Sequence, residues 1–416
     1  MSEFEQSAVF TPFTLPSGLT LKNRVVKAAM EENLAEADLT PSQVLKNVYN
    51  EWAKGGCGLI FTGNVMVDHL AMTGPGGLAL EQQTDITPFA ELARLGQQND
   101  CKIVMQINHP GRQVFKKMGG KALSASDIAL NMGKHSHLFA QPTAMDKSEI
   151  NDVIARFTHT AQQAEKAGFN GVQIHAAHGY LLAQFLSPLT NKRDDEWGGS
   201  LENRARLLLE ITRSIKAQCS AGFSVSVKLN SADFQRGGFE PHDAQAVVNM
   251  LSALKLDFVE LSGGSYEAPA MQGTTGDERT LAREAYFLEF AKAISEQSTI
   301  PIMTTGGISR LDVANKVISS GVALVGMATA LAYQPNLVNA WQSNSVQPLL
   351  MPRVTFKDKT LAGLAAMALV KRQIRRVGQG KRVKANASAI FTLISDQIRA
   401  AKLTKRYRKR FAKELN

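Results

Sequence analysis

Cysteine is scarce in this sequence, and the few cysteines are far apart. Cys57, Cys101 and Cys219 are the three cysteines of the chain, and they share no CxxC spacing. This separation excludes a zinc ribbon or an iron–sulfur cluster held by the chain's own cysteines. An odd number of cysteines is also more typical of a reducing compartment than of an oxidising one.

The sequence also lacks the patterns of export and of membrane insertion. Residues 1–6 read Met-Ser-Glu-Phe-Glu-Gln, which is acidic where a secretory signal has a basic and then an apolar segment. The uncharged stretch from Val317 to Pro352 is interrupted by Gly, Ser, Asn, Gln and Pro. We therefore interpret that stretch as buried strand and turns, not as a membrane span, and expect a cytoplasmic protein.

Positive charge is abundant but confined to one end of the chain. The formal net charge is +10, yet residues 351–416 alone contain 18 Lys and Arg against 3 Asp and Glu, a balance of +15. The rest of the chain is therefore mildly acidic, at −5. We predict a domain over residues 1–350 and a basic helical C-terminal extension over residues 351–416.

Short apolar runs alternate with longer amphipathic segments from residue 25 onward. Runs that are apolar almost throughout are typical of parallel strands covered on both faces. The predicted strands are Val25–Met30, Gly58–Asn64, Lys102–Asn108, Gly171–Ala177, Ser224–Asn230, Asp257–Gly263, Pro301–Gly307 and Ala323–Thr329. Eight such repeats predict an α/β fold, a closed (β/α)8 TIM barrel. Before them, Phe10–Leu15 and Leu19–Leu21 predict a hairpin that plugs the barrel's N-terminal end.

Polar side chains follow the predicted strands where the active site of such a barrel lies, at the strands' C-terminal ends. Gln106 lies at the end of strand 3, His175, His178 and Tyr180 follow strand 4, and Lys228 lies near the end of strand 5. A Gly pair follows strand 7, and small residues follow strand 8, a common arrangement for binding phosphate through backbone N–H groups. A phosphate cradle, a cation and neutral donors together meet the needs of a flavin mononucleotide.

Each of these signals has a simpler interpretation when taken alone. A Gly-Gly turn is more often only a turn, and Gln106 and Lys228 could be ordinary polar residues that close a barrel layer. His175 and His178 could be a metal pair or hydrogen-bonded loop residues, but no third ligand follows at ligand spacing, so no metal is predicted. Their joint position at successive strand ends is what favours a functional site.

Longer motifs around these residues closely resemble the Old Yellow Enzyme family, from about Phe13 to Ala340. The motifs that carry the resemblance are Leu21-Lys-Asn-Arg24, Gln106-Ile-Asn-His-Pro-Gly-Arg112, Gly171-Val-Gln-Ile-His175-Ala-Ala-His178-Gly-Tyr180 and Asp195-Glu-Trp-Gly-Gly-Ser200. The resemblance implies FMN as cofactor, NADPH or NADH as hydride donor, and reduction of activated C=C bonds in α,β-unsaturated carbonyl compounds. The expected partner is a small enone or enal substrate, and the oligomeric state stays open, although members of the family commonly form dimers or larger oligomers.

The resemblance also implies a role for each matching position. His175 and His178 would hold the substrate's carbonyl oxygen, and Tyr180 would deliver a proton to the α-carbon. The residues implied to bind FMN are Ala28, Ala29 and Met30 along the ring edge, Gly63 near O4, Gln106 at the pyrimidine edge, Lys228 beside N1 and O2, and Gly306, Gly307, Ala328 and Thr329 at the phosphate.

Four positions depart from the family pattern. Lys228 and Thr329 stand where the family usually has arginine, and Ala29 replaces a proline. Glu31 stands where many members have Cys or Thr. A carboxylate facing the flavin would lower its reduction potential, whereas one that points away would not. These departures affect FMN affinity and redox potential, not the fold.

Other functions remain open from the sequence. A flavin barrel could act oxidatively, for example as a demethylase, although relatives of that kind often add an iron–sulfur domain that this chain lacks. A barrel that binds flavin or ligand without turnover, with the C-terminal extension as the interacting part, is a further alternative. The extension could be a helical pair packed on the barrel or on a second copy, or it could contact an acidic surface of lipid, nucleic acid or protein.

Overall fold

The computed structural model of the chain describes residues 7–270, 287–347, 351–352 and 354–415. The acidic start of the sequence, on which the expectation about export rests, lies outside these residues. In the part of the chain that is described, every helix is too short or too polar to cross a bilayer.

Eight parallel strands close into a barrel, as the alternating pattern predicts. The strands are β1 (Val25–Lys27), β2 (Leu59–Phe61), β3 (Lys102–Asn108), β4 (Gly171–Ala176), β5 (Ser224–Asn230), β6 (Val259–Ser262), β7 (Ile302–Thr304) and β8 (Leu324–Met327). Each strand pairs with the next one along the chain, and β8 returns to pair with β1 through Val325 and Val25. The (β/α)8 barrel is confirmed.

Strands β3 and β5 have the predicted bounds, but most others are shorter than predicted. Strand β2 ends before Gly63 because the Gly63 N–H donates to the Tyr49 hydroxyl (2.9 Å) instead of to a neighbouring strand. Strand β7 ends before Gly306 and Gly307, whose φ angles of 122° and 73° are incompatible with extended backbone. Apolar composition alone does not reveal where backbone leaves a sheet.

In the described residues, helices surround the barrel, and four of them begin at side-chain caps. They are α1 (Gln43–Lys54), α2 (Thr87–Gly96), α3 (Lys147–Lys166), α4 (Leu181–Leu186), α5 (Leu201–Gln218), α6 (Pro241–Ser252), α7 (Leu288–Ser295), α8 (Leu311–Ser319), α9 (Thr329–Tyr333) and α10 (Leu337–Gln342). Asp146 and Glu149 form a capping box at the start of α3. Helices α9 and α10 lie in the uncharged stretch interpreted as strand and turns, so that interpretation was incomplete. Both are short and largely buried, and buried helix and strand have the same apolar composition.

The N-terminal hairpin closes one end of the barrel. Phe13–Thr14 pairs antiparallel with Thr20–Leu21. Leu15 and Leu21 pack against interior-facing side chains near the strands' N-terminal ends, and this cluster includes Val26, Leu59 and Phe258. Additional short strands are Val65–Met66, Leu78–Ala79, Leu123–Ser124 and Thr143–Ala144.

The C-terminal extension forms two helices, α11 (Lys359–Gly378) and α12 (Ala389–Arg410). Arg375 and Asp396 join them in an ion pair (3.2 Å). Helix α11 packs on α1, where the Asn47 amide donates to the Gly378 carbonyl (3.0 Å). Helix α12 lies on the loops that follow β1 and β2, where Tyr407 donates to the His69 carbonyl (2.7 Å). The pair therefore packs on the barrel, beside its C-terminal mouth.

Candidate active site

The barrel interior changes from apolar to polar toward the C-terminal ends of β3 to β6. Alternation along each strand directs Gln106, Gln173, Lys228 and Glu260 inward, and each is at most 4% exposed. Their side chains form one chain of hydrogen bonds. Gln106 donates to Gln173 (2.7 Å), Gln173 donates to Glu260 (2.8 Å), and Lys228 donates to Glu260 (2.7 Å). This polar layer forms the floor of the mouth.

Gln173 and Glu260 are site residues that the sequence-based prediction missed. Each has an apolar residue on either side within a buried strand, and that pattern was the available signal. Glu260 matters because its carboxylate forms an ion pair with Lys228 (2.7 Å) inside the barrel, where both side chains are buried. Gln173 Oε1 accepts from Gln106 Nε2, which fixes the orientation of the Gln106 amide.

His175, His178 and Tyr180 lie together where β4 ends. The His175 ring is 5.0 Å from the His178 ring and 4.8 Å from the Tyr180 ring, both edge to face. His175 Nδ1 accepts from the Ala177 N–H (3.2 Å), and His178 Nε2 bonds the Ser262 hydroxyl (2.7 Å). His178 has a left-handed φ of 61°, and its N–H donates to Asn230 (3.0 Å). Such strained backbone is common at functional sites.

Burial sets the protonation of these three groups. Removal from water lowers the pKa of both His175 and His178 well below 6.5, and the nearby Lys228 charge lowers them further. Burial raises the pKa of Tyr180 well above 10, and the neighbouring Tyr266 and Glu31 add to the effect. The mouth therefore contains two neutral imidazoles and a protonated phenol across the physiological range.

Tyr266 is a second phenol that the sequence-based prediction missed. Its hydroxyl lies 3.2 Å from that of Tyr180, and burial raises its pKa above the ordinary value. It follows β6 in a loop whose sequence has no motif that would have identified it. The two phenol hydroxyls therefore lie within hydrogen-bonding distance of each other.

Glu31 is held at the rim of the mouth by groups from three segments. Its carboxylate accepts from Thr73 (2.6 Å) and Asn64 (3.5 Å) and lies 3.8 Å from Lys371 of the C-terminal extension. Because it raises the pKa of both Tyr180 and Tyr266, Glu31 is electrostatically part of this site. The extension thus supplies a cation to the site's edge.

A buried ionic network supports the backbone at the ends of β1 and β2. Lys27 lies 3.6 Å from Glu32 and donates to the Phe61 carbonyl (2.7 Å), and Tyr49 donates to Glu32 (2.6 Å). Desolvation lowers the pKa of Lys27 to about 8 and raises that of Glu32. A Cβ on Gly63 would lie 2.3 Å from both Glu32 Oε2 and the Met30 carbonyl. The network therefore seats segment 28–32 directly against Gly63.

The predicted phosphate residues also come together, because β7 and β8 are neighbours. Gly306 and Gly307 have left-handed φ angles that favour glycine, and Ala328 precedes α9, which begins at Thr329. The Thr305 hydroxyl donates to the Gly326 carbonyl (3.4 Å) and links the two strand ends. Backbone N–H groups and the Thr329 hydroxyl could bind an anion here, whereas the arginine that is typical of the family at position 329 is absent.

Asn108 provides a test of whether a ligand fits the mouth. It is fully buried at the inward-facing end of β3, two residues beyond Gln106, and both of its amide atoms have no partner in the described structure. Buried polar groups almost always have partners, so this amide is the kind of group that a bound molecule would satisfy. Together with Lys228, Gln106 and the glycine backbone, this donor set fits the polar ring and phosphate of FMN.

This fold and the groups at its mouth are typical of barrel oxidoreductases that use a flavin. Residues 8–347 match the model of the NADH:flavin oxidoreductase / NADH oxidase family, and the chain belongs to that family. It is an NAD(P)H:flavin oxidoreductase of the Old Yellow Enzyme type, with FMN as its cofactor. The resemblance found in the sequence is confirmed.

Individual relatives agree with this assignment. The chain is 33% identical over 351 residues to the NADH-dependent flavin oxidoreductase iliE of Hypocrea jecorina, covering 78% of this chain and 86% of the relative. It is 39% identical over 300 residues to the NADH-dependent flavin oxidoreductase nadA of Aspergillus parasiticus, covering 68% and 67%. The old yellow enzyme homologue from Zymomonas mobilis shares the fold, with a TM-score of 0.70 at 24% identity over 83% of this chain and 95% of that one.

Proposed function

We propose that this enzyme reduces the activated C=C bond of α,β-unsaturated carbonyl compounds at the expense of NAD(P)H. The observation that carries the proposal is the group formed by His175, His178 and Tyr180 at a mouth that fits FMN. Burial keeps the two imidazoles neutral and the phenol protonated. FMN, when bound and reduced, would supply the hydride for the β-carbon. The protein's own groups then have two tasks, which are to bind the carbonyl oxygen and to protonate the α-carbon.

His175 is suited to the first task because its tautomer is defined. In a neutral imidazole whose Nδ1 accepts the Ala177 N–H, the ring proton resides on Nε2, which can donate to a carbonyl oxygen. His178 bonds Ser262 through Nε2, which leaves Nδ1 for the same oxygen. Negative charge grows on that oxygen as hydride arrives, and fixed N–H donors there stabilise the transition state.

Tyr180 is suited to the second task. Its phenol stays protonated because burial raises its pKa, and the α-carbon of an enolate is basic enough to accept that proton. The hydroxyl of Tyr266, 3.2 Å away, can return a proton to Tyr180 afterwards. The product is the saturated carbonyl compound, with one hydride and one proton added across the former double bond.

We further propose that residues 1–350 form the FMN-binding barrel and residues 351–416 an extension that borders its mouth. Gln106 and Lys228 would bind the flavin's pyrimidine side, and segment 28–30 with Gly63 its ring edge. Gly306, Gly307, Ala328 and Thr329 would bind the phosphate. A fixed cation at Lys228 would stabilise the negative charge of the reduced ring.

The test uses the purified holoenzyme under anaerobic conditions. We expect a yellow protein that NADH or NADPH bleaches and that cyclohexenone then recolours. A yellow protein that neither nucleotide bleaches would indicate a flavin-binding protein without turnover. Bleaching followed by recolouring with oxygen alone, and by no enone, would contradict ene-reduction.

Tyr180→Phe separates the two half-reactions. We expect reoxidation by cyclohexenone to slow at least about 100-fold, the usual contribution of a general acid, while reduction by the nucleotide keeps its rate. Tyr266→Phe removes a hydroxyl 3.2 Å away and is the matched control, with a much smaller effect expected.

Replacing both His175 and His178 with Asn should abolish binding of phenols, measured as loss of their charge-transfer absorbance.

A further inference from the structure

Helix α12 of the C-terminal extension presents an apolar face to solvent. Ile390, Phe391, Ile394 and Ile398 are 52–76% exposed, although each is a large hydrophobic side chain. Their spacing of one, four and eight residues from Ile390 places them on one side of the helix. A cluster of this kind on one helix face normally marks a surface that something else covers.

The same face becomes basic toward the end of the helix. Lys402, Lys405 and Lys409 continue the positions of Ile394 and Ile398 at intervals of four, three and four residues, and all three are exposed. Arg408 and Arg410 are exposed beside them. The outer face of α12 is therefore apolar in its first half and cationic in its second half.

This face cannot turn inward, because the opposite face of α12 holds the helix to the barrel. Thr392, Thr404 and Tyr407 are buried there. Arg399 donates to the Asn33 carbonyl (2.8 Å), and Arg406 donates to the Ala35 carbonyl (2.6 Å). Those carbonyls belong to the loop that follows β1, so the outer face of α12 lies beside the mouth of the barrel.

We infer that the outer face of α12 binds the surface of an anionic lipid membrane. A helix lying in the interface buries an apolar face among the acyl chains, while its basic residues attract acidic headgroups. An anionic membrane surface therefore offers a contact to the apolar half and to the cationic half of the outer face of α12. The net charge of +15 on residues 351–416 adds a long-range attraction between the extension and an anionic surface.

A second copy of the chain fits this face less well. Two such extensions meeting about a two-fold axis would bring two strongly positive segments together, and their repulsion would oppose the apolar contact. Nucleic acid would match the lysines but would leave Ile394 and Ile398 with no apolar partner. The anionic bilayer is the occupant whose chemistry matches the whole face.

Co-sedimentation of the FMN-loaded full-length enzyme with vesicles tests the inference. We expect binding to vesicles of phosphatidylcholine mixed with phosphatidylglycerol, no binding to phosphatidylcholine alone, and weakening by salt. Lys402→Gln, Lys405→Gln and Lys409→Gln combined should weaken binding about fivefold for each lysine. The charge-matched control is Lys54→Gln, Lys166→Gln and Lys292→Gln, which removes three exposed lysines from the barrel and should bind as the parent does.

The apolar half is tested by Ile394→Gln with Ile398→Gln, because glutamine keeps good helix propensity. We expect weaker vesicle binding with unchanged flavin absorbance and thermal midpoint. Leu138→Gln with Val346→Gln is the control, since both residues are exposed on the barrel. Absence of binding to anionic vesicles at low salt would overturn the inference. It would also be overturned by a dimer, seen in light scattering, that the Ile394/Ile398 variant dissociates, or by DNA binding in place of vesicle binding.

Discussion

At the scale of single residues, the site depends on side chains whose protonation is set by burial. His175 and His178 stay neutral, and Tyr180 stays protonated, because all three are removed from water beside Lys228 and Tyr266. The residue types are visible in the sequence, but in water these imidazoles would titrate near pH 6.5. Donor groups that do not change state can act identically over a broad pH range.

The rate of enone reduction by the prereduced enzyme should therefore be constant over a wide window. The histidines have pKa values well below 6.5 and are neutral above it, and Tyr180 has a pKa well above 10 and keeps its proton up to that value. We expect a flat profile from pH 6.5 to pH 10 in stopped-flow reoxidation by cyclohexenone. A single-proton inflection near pH 7 that disappears in His178→Asn would contradict the neutral assignment.

Lys228 and Glu260 form an ion pair in the barrel interior, and removal of one partner should be costly. Glu260→Gln leaves the buried ammonium without its carboxylate, so we expect about 3–5 kcal/mol of lost stability, read as a lower denaturation midpoint in urea. Glu91→Gln breaks the more exposed pair with Lys46 and should cost no more than about 1 kcal/mol. Equal effects of the two substitutions would show that Glu260 does not neutralise Lys228.

At the scale of elements, the mouth is shaped by where strands stop. Strand β2 ends because the Gly63 N–H bonds the Tyr49 side chain, and β7 ends at two glycines with left-handed backbone. The freed backbone of these segments is then available to a ligand instead of to a neighbouring strand. Helix α1 takes part in this as well, because Tyr49 projects from it to both Glu32 and Gly63.

Gly63→Ala tests the close contact between these two strand ends. The added Cβ would lie 2.3 Å from Glu32 Oε2 and from the Met30 carbonyl, so segment 28–32 must shift. We expect about 1–3 kcal/mol of lost stability and weaker FMN binding, measured by thermal unfolding and flavin fluorescence titration. Gly222→Ala adds the same methyl group where nothing lies within 4 Å and should leave both quantities unchanged. A fully stable Gly63→Ala variant with normal FMN affinity would contradict this description.

At the scale of the whole molecule, the C-terminal extension is fastened across the barrel by ion pairs. His69, in the loop after β2, bonds Glu81 through Nδ1 (2.7 Å) and Glu414 through Nε2 (2.6 Å). These carboxylates raise the pKa of His69 to about 9, so its ring is cationic at neutral pH. Lys371 and Glu31 make a second contact of this kind at the rim of the mouth.

The His69 contacts predict that stability depends on pH in the alkaline range. Because the folded pKa is raised from 6.5 to about 9, the stabilisation is fully present below pH 6.5 and is lost as pH rises through 9. We expect the thermal midpoint of the parent protein to fall over this interval. In His69→Asn the midpoint should be lower near neutral pH and should change less with pH. If the thermal midpoint of His69→Asn kept the parent's full pH dependence, the effect would come from groups other than His69.

The sequence by itself determined the order of the barrel strands and predicted the central site residues. Alternation of apolar runs with amphipathic segments is a local pattern, and it specified eight strands in order. The motif from Gly171 to Tyr180 is contiguous, so His175, His178 and Tyr180 could be assigned together without knowledge of the fold. The bounds of strands β3 and β5 were predicted correctly because, in these two strands, the backbone pairing ends at the same residues as the apolar pattern.

Tertiary structure alone decided which distant groups meet and what state they adopt. Glu260 reaches Lys228, Tyr266 reaches Tyr180, and Lys371 of the extension reaches Glu31, across 32, 86 and 340 residues of chain. No local pattern encodes such pairs, because they arise only when strands close into a barrel and helices pack on it. Burial then shifts the pKa values that the site requires, and burial is a property of the folded molecule.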